Sequence, residues 1–312
     1  IGIKCVHDNV SSAATVDLDE DRVTLVEIEK NLIPSDGLNI RNNDTPQKQE
    51  ARLHYHKLNA VKEFCKINNL NKYIYNSDNA KIGIVTTGKS YLDLMQSLEK
   101  LKINKQVAKK FGIRLLKIAM PWPLEPSIIE NFSKGLDLII VVEEKRSLIE
   151  NQIREILFNL PSSFKIIGKK DLNGNTLFPS SGALNPGMIA SRLGSIIYNR
   201  NKNDDLKLNI EKINSLILEK RSLDTIKRTP YFCSGCPHNT STQIPSGSRA
   251  VTGISCAYLV QNMERNNQGF AQMGSEGATW VGESLFSNRD HVFQNLGDGT
   301  YIHSGILSIR HA

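Results

Sequence analysis

Three cysteines in the last third of the chain are the residues best placed to do chemistry. Cys233-Ser-Gly-Cys236-Pro-His238 sets two thiols around a glycine that permits a tight turn, and Cys256 follows in Gly253-Ile-Ser-Cys256. A Cys-x2-Cys spacing lets two sulfurs reach one metal or cluster, and four protein ligands are the norm. His238 can supply the fourth as a Cys3His zinc site, or a further thiolate can complete an iron–sulfur (4Fe–4S) cluster. The plain alternative is three spectator thiols in a glycine-rich fold. Cys5 and Cys65 have no visible partner and read as structural. An odd, sparse set of five cysteines does not make a disulfide framework.

A second constellation is Leu296-Gly297-Asp298-Gly299-Thr300. It follows the apolar run His291–Asn295 and precedes Ile302, Ile306 and Leu307, which places Gly-Asp-Gly between a strand and a helix. Parallel sheets bind ligands at that edge, glycines let backbone approach a diphosphate, and an aspartate offers hard oxygens to Mg²⁺. Alone, the tripeptide also makes ordinary turns. A further glycine loop, Gln272-Met-Gly274-Ser-Glu276-Gly277-Ala-Thr-Trp280, carries one carboxylate. Glu276 there is either a ligand contact or part of a solvated turn with Trp280 buried behind it.

Gly83-Ile-Val-Thr-Thr-Gly88-Lys89-Ser90 matches the phosphate-cradling pattern G-x-x-x-x-G-K-[ST], and Leu138–Glu144 supplies an apolar strand ending in acid. In a true phosphate loop, however, the strand precedes the first glycine. Here Ile84 and Val85 are themselves strand residues, so the segment is extended and cannot wrap a phosphate. The motif reads as coincidence.

The elements that must position these residues alternate in type. Strands are expected at Ile82–Thr86, Arg114–Met120, Leu138–Val142 and Lys165–Gly168. Helices are expected at Ser90–Leu101 (Leu92, Met95, Leu98 and Leu101 inward), Pro126–Lys134, Ser147–Leu160 and Asn185–Asn199. Continuous Ile/Val/Leu strands between amphipathic helices predict a parallel sheet covered on both faces. Upstream, Ile1–Val6 and Arg22–Ile28 read as strands, and Pro46–Asn68 as a helix capped by Asp44 or Thr45. Asp204–Lys220 reads as a polar-faced connecting helix.

Composition limits the function classes. The chain has 312 residues, 39 Lys plus Arg against 32 Asp plus Glu, and a net charge of +7 spread without a basic stripe, which argues against nucleic acid. Its mean hydropathy is −0.31. The longest apolar run, Leu138–Val142, is far short of a membrane span, and no leader-like stretch is visible, so a cytoplasmic location is expected. Residue 1 is Ile, and the last residues stop inside an apolar periodic run, so the chain reads as an internal piece of a longer polypeptide.

Taken together the motifs resemble the indolepyruvate ferredoxin oxidoreductase family of thiamine-diphosphate-dependent 2-oxoacid:ferredoxin oxidoreductases, most closely its long, fused bacterial form. The stretches that carry the likeness are Gly37-Leu-Asn-Ile-Arg41, Gly83–Tyr91, Trp122-Pro-Leu-Glu-Pro126, Val141–Arg146, Pro230–His238 and His291–Tyr301. The resemblance implies an α/β fold. Residues 1–28 would end a pyrimidine-binding domain, 29–78 form a linker and helix, and 79–200 a doubly wound, transketolase-C-terminal-like domain. Residues 201–228 would connect to a truncated diphosphate-binding α/β domain at 229–312.

By the same resemblance, Gly297, Asp298, Gly299 and Thr300 bind thiamine diphosphate, with Asp298 a Mg²⁺ ligand, and Cys233, Cys236 and Cys256 hold the 4Fe–4S cluster. The implied reaction is oxidative decarboxylation of an aryl 2-oxo acid, with the acyl group passed to coenzyme A and electrons to ferredoxin, in a homo-oligomer. The family's activating Glu would lie upstream of Ile1, and the Asn completing the Mg²⁺ site beyond Ala312. The isolated chain is therefore expected to be inactive. Two other classes compete: a non-redox thiamine-dependent decarboxylase or transferase, which has no use for the thiols, and a zinc-stabilised binding protein without catalysis.

Overall fold

The computed structural model describes residues 25–160, 164–223 and 229–312, together with Val10, Ala13, Thr15 and Leu18. The expected strand Ile1–Val6 lies outside the described residues, as does the first part of Arg22–Ile28; its described part, Leu25–Ile28, carries no strand. Contacts divide the chain into two units, residues 1–221 and 222–312.

The first unit opens with helical turns at α1 (Pro46–Arg52) and α2 (Leu58–Ile67), joined through a π-helical turn at Leu53–Lys57. Thr45, not Asp44, caps α1: its side chain accepts from the Lys48 amide. Asp44 instead faces Arg52 at 3.4 Å.

Its sheet runs β1 (Lys72–Tyr75), β3 (Ile113–Ile118), β2 (Ile82–Thr87), β4 (Leu138–Val142), β5 (Lys165–Ile167). β2 to β5 are mutually parallel, and β1 pairs antiparallel to β3. β1 was not foreseen; four residues among turn formers are too few to set a period.

The sheet is covered on both faces, and β4 shows why its run is unbroken. Leu138, Ile140 and Val142 join Ile82, Ile84 and Leu115 on one face, whereas Ile139 and Val141 join Val85 and Leu116 on the other. No residue of β4 is left for solvent, so none is polar. The first face packs α3 (Gly88–Lys100), α4 (Lys105–Lys110), α7 (Pro186–Asn201) and α8 (Asp204–Leu223); the second packs α5 (Pro126–Ser133) and α6 (Ile149–Leu157). The doubly wound parallel sheet is therefore as expected.

Two expectations about helices need correction. Leu92, placed inward by its spacing, is 60% exposed; α3 turns Leu94 and Leu98 to the core and buries Ser90, Asp93 and Ser97 with them. The polar residues go inside because Ser97 Oγ donates to the Pro186 carbonyl at 2.9 Å, so α7 docks on a hydroxyl-bearing face. The helix expected at Asp204–Lys220 is α8, and it is no free connector: Leu206, Ile210 and Ile213 lie in the first-face core.

The second unit holds α9 (His238–Ser241) and a small sheet in the order β7 (Asn267–Phe270), β6 (Ala250–Thr252), β8 (Phe293–Asn295), all parallel. After it come α10 (Ala278–Glu283), α11 (Asp298–Thr300) and α12 (Ile306–His311).

Candidate functional site

In the small sheet, β7 lies on one side of β6 and β8 on the other. The β6/β8 boundary is therefore where strand order reverses, and ligands bind outside the carboxyl ends of strands at such a point. Those ends are Thr252–Gly253 and Asn295–Gly297, tied together by the Gly253 amide donating to the Asn295 carbonyl at 2.8 Å.

Gly297-Asp298-Gly299 stands at this edge as the sequence predicts. α11, a π-helical turn at Tyr301–Gly305 and α12 follow one another directly from Asp298 to His311. Gly297 begins the helix by accepting from the Tyr301 amide at 3.0 Å, but has no side chain to cap it. The amides of the first turn are left for something else. A Cβ built on Gly297 or Gly299 would meet nothing within 4 Å, and neither residue has a positive φ. Neither packing nor backbone requires glycine there, so the cleared space suits close approach of a bound group. The Asp298 side chain is exposed and has no hydrogen-bond or ion-pair partner among the described residues. Thr300 differs: it is 6% exposed, and its Cγ2 packs 3.2 Å from where a Cβ on Gly305 would lie.

The Gln272–Trp280 loop is not a solvated turn. Glu276 is fully buried, its Oε2 accepting from the Gly274 amide at 2.6 Å and its Oε1 having no partner. Trp280 is only half-buried. Gln294, which the sequence did not mark, ties this loop to the sheet. Its Oε1 accepts from the Gly277 amide at 2.9 Å and its Nε2 donates to the Val251 carbonyl at 3.2 Å. A lone Gln in a three-residue strand gives no pattern that could have announced it.

The thiols are less well gathered. Cys233-Ser-Gly-Cys236 forms the expected tight turn, with the Cys236 amide donating to the Cys233 carbonyl at 3.1 Å and Gly235 at φ +74°. Cys236 Sγ contacts His238 Nδ1 at 3.3 Å, and the His238 ring stacks on Phe232 at 5.1 Å. Cys256 stands on a separate 3₁₀ segment, Ser255–Asn262, exposed like Cys233. Among the described residues no three His, Cys, Asp or Glu side chains gather as a metal site. As arranged, Cys233, Cys236 and Cys256 with His238 do not make a zinc site. Cys65 is buried, as a structural cysteine should be, and burial raises its thiol pKa. Cys5 lies outside the described residues.

In the first unit, the phosphate-loop pattern is resolved into packing. Gly83 lies within β2, and a Cβ there would collide with Leu136 and with the Phe132 ring. Lys89 Nζ is held by Asp93 at 2.7 Å and the Leu184 carbonyl at 3.3 Å. The acid ending β4, Glu143, is 3% exposed and accepts from the amides of Leu148, Ile149 and Glu150, capping α6 instead of holding a metal.

The site is thus a Gly-Asp-Gly turn at a strand-order reversal of an α/β protein. Residues 72–219 match the indolepyruvate oxidoreductase domain. The chain is 24% identical over 260 residues to indolepyruvate oxidoreductase subunit IorA of Pyrococcus horikoshii, covering 77% of this chain and 37% of that protein. It is 26% identical over 234 residues to the same subunit of Archaeoglobus fulgidus, covering 72% and 34%. The match to the domain covers a little under half of the chain, and the chain spans little more than a third of the length of these relatives. A solved 2-oxoglutarate:ferredoxin oxidoreductase from Magnetococcus marinus superposes with a TM-score of 0.35 at 18% identity, over 50% of this chain and 24% of that one. No described helix is long and apolar enough to cross a membrane.

Proposed function

We propose that this chain contributes the diphosphate-binding part of a thiamine-diphosphate-dependent 2-oxo acid:ferredoxin oxidoreductase acting on aryl 2-oxo acids of the indolepyruvate type. The match of residues 72–219 to the indolepyruvate oxidoreductase domain and the likeness to the IorA subunits support the reaction class. The observation that carries the cofactor is Gly297-Asp298-Gly299, at the strand-order reversal, with its glycine space open and its carboxylate unpartnered. Asp298 would hold Mg²⁺ through its carboxylate, and the amides following Gly297 would face the diphosphate oxygens. When bound, the cofactor supplies the carbanion chemistry that releases carbon dioxide from a 2-oxo acid. The protein's own task is to fix the diphosphate end so that the reacting ring has one position.

The transfer of electrons to ferredoxin and of the acyl group to coenzyme A rests on the likeness to indolepyruvate oxidoreductases. No electron step is assigned to Cys233, Cys236 or Cys256. The test is anaerobic turnover by the full-length protein. Indolepyruvate, coenzyme A and thiamine diphosphate together should reduce ferredoxin, and omission of any one should stop it. Carbon dioxide release without ferredoxin reduction would instead favour the non-redox thiamine-dependent class.

A further inference from the structure

Glu276 is a costly residue to place where it is. Its carboxyl group is fully buried, and among the described residues only one oxygen is hydrogen-bonded and no Lys, Arg or His lies in an ion pair with it. A buried carboxylate normally has both oxygens satisfied, and one left bare carries a desolvation penalty. The chain also makes room for it. A Cβ on Gly253 would come within 2.7 Å of Glu276 Oε1 and 3.0 Å of its Cγ, so glycine is required at 253 for the carboxyl to lie against that backbone.

Its position makes the arrangement informative. Gly253 is the first residue past the carboxyl end of β6, and its amide bonds to Asn295, the last residue of β8. The bare oxygen therefore lies at the β6/β8 reversal, where Asn295 on the β8 side stands two residues before the start of the Gly-Asp-Gly turn. Two contacts hold its loop to the helical segment that begins at Asp298. Ser308 Oγ donates to the Gly274 carbonyl at 2.7 Å, and a Cβ on Gly274 would meet Ser304 Oγ at 2.8 Å. The carboxyl and the Gly-Asp-Gly turn are thus parts of one packed corner.

We infer that Glu276 is a further binding residue of this site, its Oε1 taking a hydrogen bond from a donor of the group bound between the ends of β6 and β8. The inference rests on the thiamine diphosphate reading above. The missing donor has two sources with the same chemistry, an N–H of the cofactor's amino-bearing ring or a water on the divalent ion. Either satisfies the oxygen that the protein leaves bare. Gly253 serves this role indirectly, as the positioning residue that keeps the carboxyl seated.

The test compares wild type, Glu276→Gln, Gly253→Ala and Asp298→Ala in the full-length protein. Thiamine diphosphate affinity in saturating Mg²⁺ is read by tryptophan fluorescence, Mn²⁺ affinity without the cofactor by electron paramagnetic resonance, and folding by thermal midpoint. Glu276→Gln places an amide donor or a weaker acceptor at Oε1, and should raise the cofactor Kd about tenfold or more, as for hydrogen bonds to charged groups. Gly253→Ala should do likewise while leaving the carboxylate's charge intact. If Mn²⁺ affinity is unchanged, the donor is the cofactor N–H; if it falls in parallel, the donor is metal-bound water. Unchanged affinity for both ligands in Glu276→Gln, with Asp298→Ala still abolishing cofactor binding, overturns the inference alone. Failure of wild type to bind the cofactor, or binding indifferent to Asp298→Ala, overturns the underlying reading and this inference with it. A variant that loses affinity only in proportion to a lowered thermal midpoint also counts against it.

Discussion

Cys236 Sγ lies 3.3 Å from His238 Nδ1 on the turn that also carries Cys233, whereas Cys256 belongs to a different segment. This pairing separates the thiols into sets with distinct exposure. Cys233 and Cys256 are exposed, Cys236 is half-buried beside the imidazole, and Cys65 is buried. In metal-free protein, alkylation followed by mass spectrometry should label Cys233 and Cys256 first, Cys236 later, and Cys65 only on unfolding. Joint protection of Cys233, Cys236 and Cys256 that a chelator lifts would show that the three do share a centre.

Gly83 is glycine for packing, not for phosphate. Gly83→Ala drives a methyl into Leu136 and the buried Phe132 ring, and overpacking of this kind typically destabilises by about 1–3 kcal/mol. Chemical denaturation should show that loss. ATP and GTP should bind neither the wild type nor Lys89→Ala; saturable nucleotide binding that Lys89→Ala removes would contradict the packing account.

Glu143 accepts from three successive amides at the start of α6 from a position 3% exposed. Glu143→Ala leaves those donors without their acceptor and should lower stability by about 1–3 kcal/mol, seen as a lower denaturation midpoint. Glu143→Gln, which keeps one acceptor oxygen, should lose less.

Arg52 and Arg41 hold the Asp36 carboxyl well below the usual carboxylate range, hydrogen bonding to Arg52 being the largest cause. A carboxylate depressed in the folded state contributes stability above its unfolded pKa, and that contribution is lost as pH falls through the folded value. Asp36→Asn should therefore lower the thermal midpoint at neutral pH, and the gap to wild type should close only in strong acid. Asp36 is half exposed, so the gap should also shrink with salt.

Much of the first unit was legible because its signals are redundant. In β4, five apolar residues in a row can satisfy only a strand buried on both faces, and the amphipathic helices on either side fix the layers. Leu92 was misplaced because spacing alone cannot see that Ser97 docks on Pro186 and rotates the helix. At the candidate site, the place of Gly297-Asp298-Gly299 between a strand and a helix was legible from the apolar run before it and the periodic run after it. Glu276 was undecided, because burial of a lone acid depends on Gly253, twenty-three residues away in sequence, offering space. For the thiols, Cys-x2-Cys dictates the turn that is seen, whereas the spacing to Cys256 does not say where the third sulfur lies.

The central claim is that Asp298 ties a metal-bound diphosphate to the edge of the small sheet. Isothermal titration of thiamine diphosphate into full-length wild type and Asp298→Asn, with Mg²⁺ and with chelator, tests it most directly. The account predicts binding by wild type that requires Mg²⁺, and its loss in Asp298→Asn at unchanged thermal midpoint. Equal, metal-independent affinity in the two proteins would contradict it.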